Sequence, residues 1–223
     1  MKFLLVRAVP TVSWSSTNPL NFKPAADTLC FLLCGLVIFG LGEALLIAAG
    51  VGVSPWTVLA QGLGVQTGMS IGWATFVVSL AVLLLWIPLR QTPGLGTLLN
   101  AVVISLIIEV SLPFLPQPEQ VGLQLLEAAG GVLTVGLGSG IYLIAKLGPG
   151  PRDGLMTGIQ GLTGFPIAWV RTSLELLAVV SGWLLGGSVG IGTVLFALGI
   201  GPAVSLGLYL VAGLFGSPPA DSK

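Results

Sequence analysis

Gly148-Pro149-Gly150-Pro151-Arg152-Asp153-Gly154-Leu155 lies between two long apolar runs. It reads as a turn that stops one helix and starts another. Pro151 suits a first helical turn, where its missing N–H is not needed. The same pattern occurs 96 residues earlier, in Gly52-Val53-Ser54-Pro55-Trp56-Thr57. Gly52 matches Gly148 and Pro55 matches Pro151. Moving outward, the offset holds without a gap. Gly40-Leu41-Gly42 matches Gly136-Leu137-Gly138, and Thr67-Gly68 matches Thr163-Gly164. Trp73 matches Trp169, and Gly94, Gly96 and Thr97 match Gly190, Gly192 and Thr193. The matches gather at turns and glycines, where backbone geometry is demanding. Chance similarity between apolar runs would instead spread over Leu, Val and Ala. The chain is an internal duplication.

Composition fixes the solvent. The 223 residues are 54% hydrophobic and 7% charged, with a mean hydropathy of +1.03. Soluble domains carry about 25% charged residues. This chain is an integral membrane protein whose apolar runs reach the roughly 20 residues that a helix needs to cross a bilayer. The runs lack the two-residue alternation of a membrane β-barrel. The expected class is all-α, a polytopic bundle of about six spans. Net charge is zero and there is no histidine, so neither nucleic acid nor zinc is an expected partner. Cys30 and Cys34, four apart on one span, read as small packing residues. No cofactor and no catalytic residue is expected.

Residues 1–27 read as a retained, partly disordered cytoplasmic tail, basic through Lys2, Arg7 and Lys23. The first membrane repeat is 28–115, the extracytoplasmic linker 116–127, the second repeat 128–214, and a cytoplasmic tail 215–223. Each repeat has three spans, at about 28–49, 70–89 and 97–115, then 128–147, 166–185 and 193–214. Each also has a short helix, at 55–66 and 152–162. A 12-residue helix reaches only about 18 Å, too little for about 30 Å of hydrocarbon. The short helices are therefore re-entrant, interfacial or parts of broken spans. With the basic tail in the cytoplasm, Arg90, Lys146, Arg152 and Lys223 share its side, and Glu119 and Glu127 lie opposite. Three spans per repeat then make the halves inverted.

Inverted repeats with interrupted helices are a construction of secondary transporters. Helix starts inside a membrane offer free N–H groups and a positive dipole end. Ser54, Pro55, Pro151, Arg152 and Asp153 are substrate-site candidates on that ground. The plainer reading makes these turns mere helix boundaries, with Arg152 at the headgroups and Asp153 favouring a helix start. Arg171 and Glu175, four apart on one span, share a face. They are further substrate candidates, or else a structural ion pair. Their repeat counterparts are Thr75 and Ser79. Glu43 and Glu109 are ion-coupling candidates, since intramembrane carboxylates are costly; Glu43 alternatively sits near enough to the outer surface to be solvated. Gly136-x-x-x-Gly140 and Gly40-x-x-x-Ala44 read as packing motifs. Trp73, Trp86, Trp169 and Trp183 read as interfacial anchors.

The run from Gly148 to Gly158 resembles the YczE/YyaS/YitT bacterial membrane proteins, most closely the YczE-like branch. So do Val170-Arg-Thr-Ser-Leu-Glu175, Gly182-Trp-Leu-Leu-Gly-Gly187, Gly190-Ile-Gly-Thr193, Trp86-Ile-Pro-Leu-Arg90 and Pro93-Gly-Leu-Gly-Thr97. The resemblance covers about 28–213. It implies a polytopic protein of the bacterial cytoplasmic membrane and brings no established substrate or reaction. The expectation is a small transporter or exporter for an unidentified solute, and not an enzyme. The alternative is a non-transporting scaffold or accessory protein. Six spans make a thin bundle, which leaves room for homo-oligomerisation.

Overall fold

The computed structural model describes residues 9–216. Its helices are α1 (Ala26–Ala48), α2 (Pro55–Thr67), α3 (Ile71–Leu84), α4 (Leu95–Ser111), α5 (Val121–Ile144), α6 (Pro151–Thr163), α7 (Ile167–Leu184) and α8 (Ile191–Phe215). A 3-10 turn at Leu112–Phe114 follows α4, and the described residues contain no strand. Five helices are long and apolar enough to cross a membrane, or six spans if α2 and α3, bent by 113°, count as one. Large apolar side chains such as Leu126, Leu184, Leu198 and Leu214 stand exposed on the outside. A water-facing monomer rarely carries so extended an apolar surface, and lipid solvates it.

The duplication reaches the backbone. Helices α2 and α6, and the starts of α3 and α7 and of α4 and α8, are all 96 residues apart. So are the residues with left-handed φ, which fall into four pairs: Gly50 (69°) with Lys146 (53°), Gly52 (103°) with Gly148 (110°), Gly68 (75°) with Gly164 (71°), and Arg90 (53°) with Gly186 (101°). The turn geometry is kept even where one copy has lost its glycine. The hydrogen bonds are exchanged between halves as well. Gly96 N–H donates to the Leu147 carbonyl at 2.7 Å, and Gly192 N–H donates to the Val51 carbonyl at 2.7 Å. Each half therefore closes its last helix against the first turn of the other.

Helices α1 and α5 form the central seam, with α4 packed on α1 and α8 on α5. Around them, α2 packs on α7 and α3 on α6. Glycines let the seam close. Gly35 faces Gly138, and Gly42 faces Gly131, backbone to backbone. Contacts therefore run in opposite order along the two helices, and α1 and α5 are antiparallel. Gly136 and Gly140 serve the α5–α8 contact, against Ala203 and Gly207, as small residues do between membrane helices.

Several expectations need correction. Residues 9–25 are not a loose tail. Trp14 is buried and stacks on Phe31 at 4.4 Å, and the Thr28 hydroxyl donates to the Trp14 carbonyl at 2.7 Å. Ser16 N–H bonds the Ala145 carbonyl, and Lys146 bonds Thr11. Aromatic stacking fixes a segment whose sequence is mostly polar. Lys2, Arg7 and residues 217–223 lie outside the described residues. The second span ends at Leu84 rather than 89. Pro88 disfavours helical geometry at the residue before it, and turns carry the chain to Arg90. Helix α5 starts at Val121, earlier than the expected 128. Finally, Trp86 is no interfacial anchor. It is 2% exposed, lies over Gly154, and donates its indole N–H to the Pro151 carbonyl at 2.9 Å. Trp73, Trp169 and Trp183 are exposed.

Candidate functional site

The two short-helix starts meet. Pro55 and Pro151 line one cavity of about 170 Å³, together with Trp56, Arg152, Asp153, Arg171 and Glu175. Phe39, Tyr142 and Phe196 add aromatic wall, and Asn100 and Ser139 add polar wall. Both repeats contribute.

Ser54 is fully buried and holds the N-cap position of α2, but its side chain makes no capping bond. Its Oγ instead lies 2.9 Å from Glu43 Oε2 and 2.9 Å from Thr57 Oγ1. The Thr57 hydroxyl donates to the same Glu43 oxygen at 2.8 Å. Glu43 is 1% exposed, so it is not solvated at the outer surface. Its other oxygen, Oε1, has no hydrogen-bond partner and lies 4.0 Å from Arg152 Nη2. Arg152 also sits 5.9 Å over the Phe39 ring, within cation–π range. It is thus turned into the protein rather than to the headgroups. Asp153 is exposed to the cavity and accepts a hydrogen bond from the Tyr142 hydroxyl at 3.3 Å.

Arg171 and Glu175 form the expected ion pair at 2.9 Å, with side chains 51% and 28% exposed, and both line the cavity. The ion pair is present, and it stands in the cavity wall. Glu109 is elsewhere. It lines an apolar groove of about 250 Å³ with Gly72, Trp73 and Phe76.

Sequence reading missed Thr57, Asn100, Ser139 and Tyr142. Applying the repeat offset to the candidates would have raised two of them, since Ser139 is the counterpart of Glu43 and Thr57 that of Asp153. Asn100 lies one turn beyond Thr97, on the buried face of α4.

A second, smaller cavity of about 30 Å³ is lined by Thr57, Thr75, Ser79 and Ile104. Trp56, Asn100, Pro151 and Arg152 border both cavities. Eight of its ten lining residues have their repeat counterparts around the large cavity, Thr75 opposite Arg171 and Ser79 opposite Glu175. The two cavities are one feature built twice and filled differently. The helix contacts beside them differ in the same way. Gly182 of α7 presses on the Val58 backbone of α2. At the equivalent place between α3 and α6, Trp86 lies over Gly154 and an indole separates the helices.

Residues 26–207 match DUF6198, a family of unknown function. An uncharacterized protein of Haemophilus influenzae is 43% identical over 209 residues, 94% of this chain and 95% of that protein. The uncharacterized membrane protein YczE of Bacillus subtilis is 35% identical over 170 residues, 75% of this chain and 79% of YczE. The uncharacterized protein YyaS of the same organism is 31% identical over 165 residues, 72% of this chain and 82% of YyaS. No solved structure matches the chain. It is a multi-pass membrane protein of the DUF6198 family, similar to YczE and YyaS.

Proposed function

We propose that this protein is a small secondary transporter whose solute site is the central cavity between the starts of α2 and α6. The observation that carries the reading is the pair of unequal cavities. In an inverted-repeat transporter the two halves exchange conformations, so that one access route closes as its counterpart opens. A large cavity on the α7 side and a collapsed counterpart on the α3 side are what one such state presents.

The inverted arrangement is supported by the antiparallel run of α1 against α5. With α1 crossing once, the α2–α3 pair and the α6–α7 pair each act as one broken crossing, giving six. The described N-terminal segment, the end of α5 and the start of α4 lie together, with Lys146 among them. That end is the cytoplasmic one by the positive-inside rule, and the membrane is the bacterial cytoplasmic membrane. The cavity lining offers no histidine and no cysteine. Transport rather than catalysis suits that chemistry.

The test is uptake of a mixed metabolite extract by proteoliposomes, read by mass spectrometry. At least one solute is expected to accumulate above empty liposomes, and Arg152→Ala is expected to cut that uptake by about tenfold or more, a change of about 1.4 kcal/mol. Folded protein that accumulates nothing, or uptake indifferent to Arg152→Ala, overturns the proposal.

A further inference from the structure

The charges around the central cavity do not balance. Arg171 is matched by Glu175 at 2.9 Å, and Arg152 by Glu43 at 4.0 Å. Asp153 has no such partner. Among the described residues, no arginine or lysine nitrogen lies within 4.0 Å of it, and its hydrogen bond from Tyr142 is neutral. Two guanidinium groups and two carboxylates line the cavity, and Glu43, set behind Arg152, adds a third carboxylate that draws on the same guanidinium. Asp153 opens on the cavity without a cationic partner, and a ligand that brings one positive charge supplies it.

An anion is the obvious rival, because helix starts attract anions. Here each start already holds a carboxylate of the protein. Glu43 sits at the start of α2 on Ser54 and Thr57. Asp153 occupies the first turn of α6. A further anion would meet both. The buried Glu43 oxygen without a hydrogen bond adds to the same negative balance. The walls point the same way. Phe39, Trp56, Tyr142 and Phe196 present aromatic surface, which favours an organic cation over a bare metal ion. The volume, about 170 Å³, is close to the roughly 150 Å³ that admits benzene in an apolar protein cavity.

We infer that the cavity takes a small organic monocation, an ammonium on a compact aromatic or apolar body, with Asp153 as its counter-ion. The inference rests on the transporter reading only for the position of the site, and binding alone can test it. Three probes share one skeleton and differ in charge: phenethylammonium, phenylalanine and phenylacetate. Each is titrated by calorimetry into the purified full chain in nanodiscs. Phenethylammonium is expected to bind saturably, phenylalanine about tenfold more weakly or worse, and phenylacetate not at all. Asp153→Asn is expected to weaken phenethylammonium binding by about tenfold or more, while Asp153→Glu keeps it. A melting scan of each variant confirms that it is folded. Preference for phenylacetate or phenylalanine, no saturable phenethylammonium binding, or an Asp153→Asn variant that binds as well as the parent overturns the inference. Cation binding without flux in proteoliposomes would refute transport and leave the ligand class standing. Flux of an anion would do the reverse.

Discussion

Gly138→Leu is expected to destabilise the folded bundle severely. Gly138 sits at the crossing of α1 and α5, with its α-carbon against the Phe39 amide and the Gly35 carbonyl. An added Cβ would meet main chain on both sides, and main chain cannot rotate away as a side chain can. Overpacking a tight core typically costs about 1–3 kcal/mol. Here the helices themselves must separate, so the upper end, about 3 kcal/mol, is the expectation. That is a large share of a typical stability of about 5–15 kcal/mol. Gly130, on the same helix, is the control. Nothing lies within 4 Å of a Cβ placed there, so Gly130→Leu is expected to fold as the parent does. The measurement is the monodisperse yield and the melting temperature in detergent. Equal yields for the two variants would mean that the seam is not packed as described.

The second large effect concerns Glu43 and Arg152. Removing one partner of a buried ion pair costs about 3–5 kcal/mol, because the other charge is left uncompensated. The Arg152 side chain is 30% exposed and the pair is 4.0 Å apart, so both water and distance reduce the figure. Arg152→Ala is expected to cost about 2 kcal/mol in stability. Glu43→Gln is expected to cost less, about 1 kcal/mol, since glutamine still accepts from Ser54 and Thr57. The double variant should lose less than the two singles added, because no carboxylate then remains without its cation. A double-mutant cycle by thermal unfolding measures this. Strict additivity would mean that the two residues do not interact.

The contrast between these residues and the repeat shows where legibility ends. Gly52, Gly68, Gly148 and Gly164 encode backbone geometry, so the sequence alone placed both short helices to within a residue or so. The meeting of Pro55 and Pro151 in one cavity followed from the same symmetry. What could not be read is which helix faces meet. The spans are apolar on all sides, so nothing in their pattern marks the face of α1 that carries Glu43 towards α6. Trp86 looked like an anchor because it stands at the end of a run. Its burial depends on Gly154, distant in sequence, leaving room for the ring. The docking of Trp14 likewise depends on Phe31 and Phe215, an aromatic group assembled only by the fold.

The proposed transport requires that the two halves be inverted around their shared cavity. Thr67 and Thr163 are repeat counterparts, both exposed at the ends of the short helices. Cys30 and Cys34, both exposed and free, are first replaced by serine. Single cysteines at Thr67 and Thr163 are then labelled in intact cells with a membrane-impermeant thiol reagent, and again in inside-out vesicles. Labelling of Thr67→Cys from outside and of Thr163→Cys from inside is expected. Labelling of both from one face would contradict inversion, and with it the two-state cavity on which transport rests.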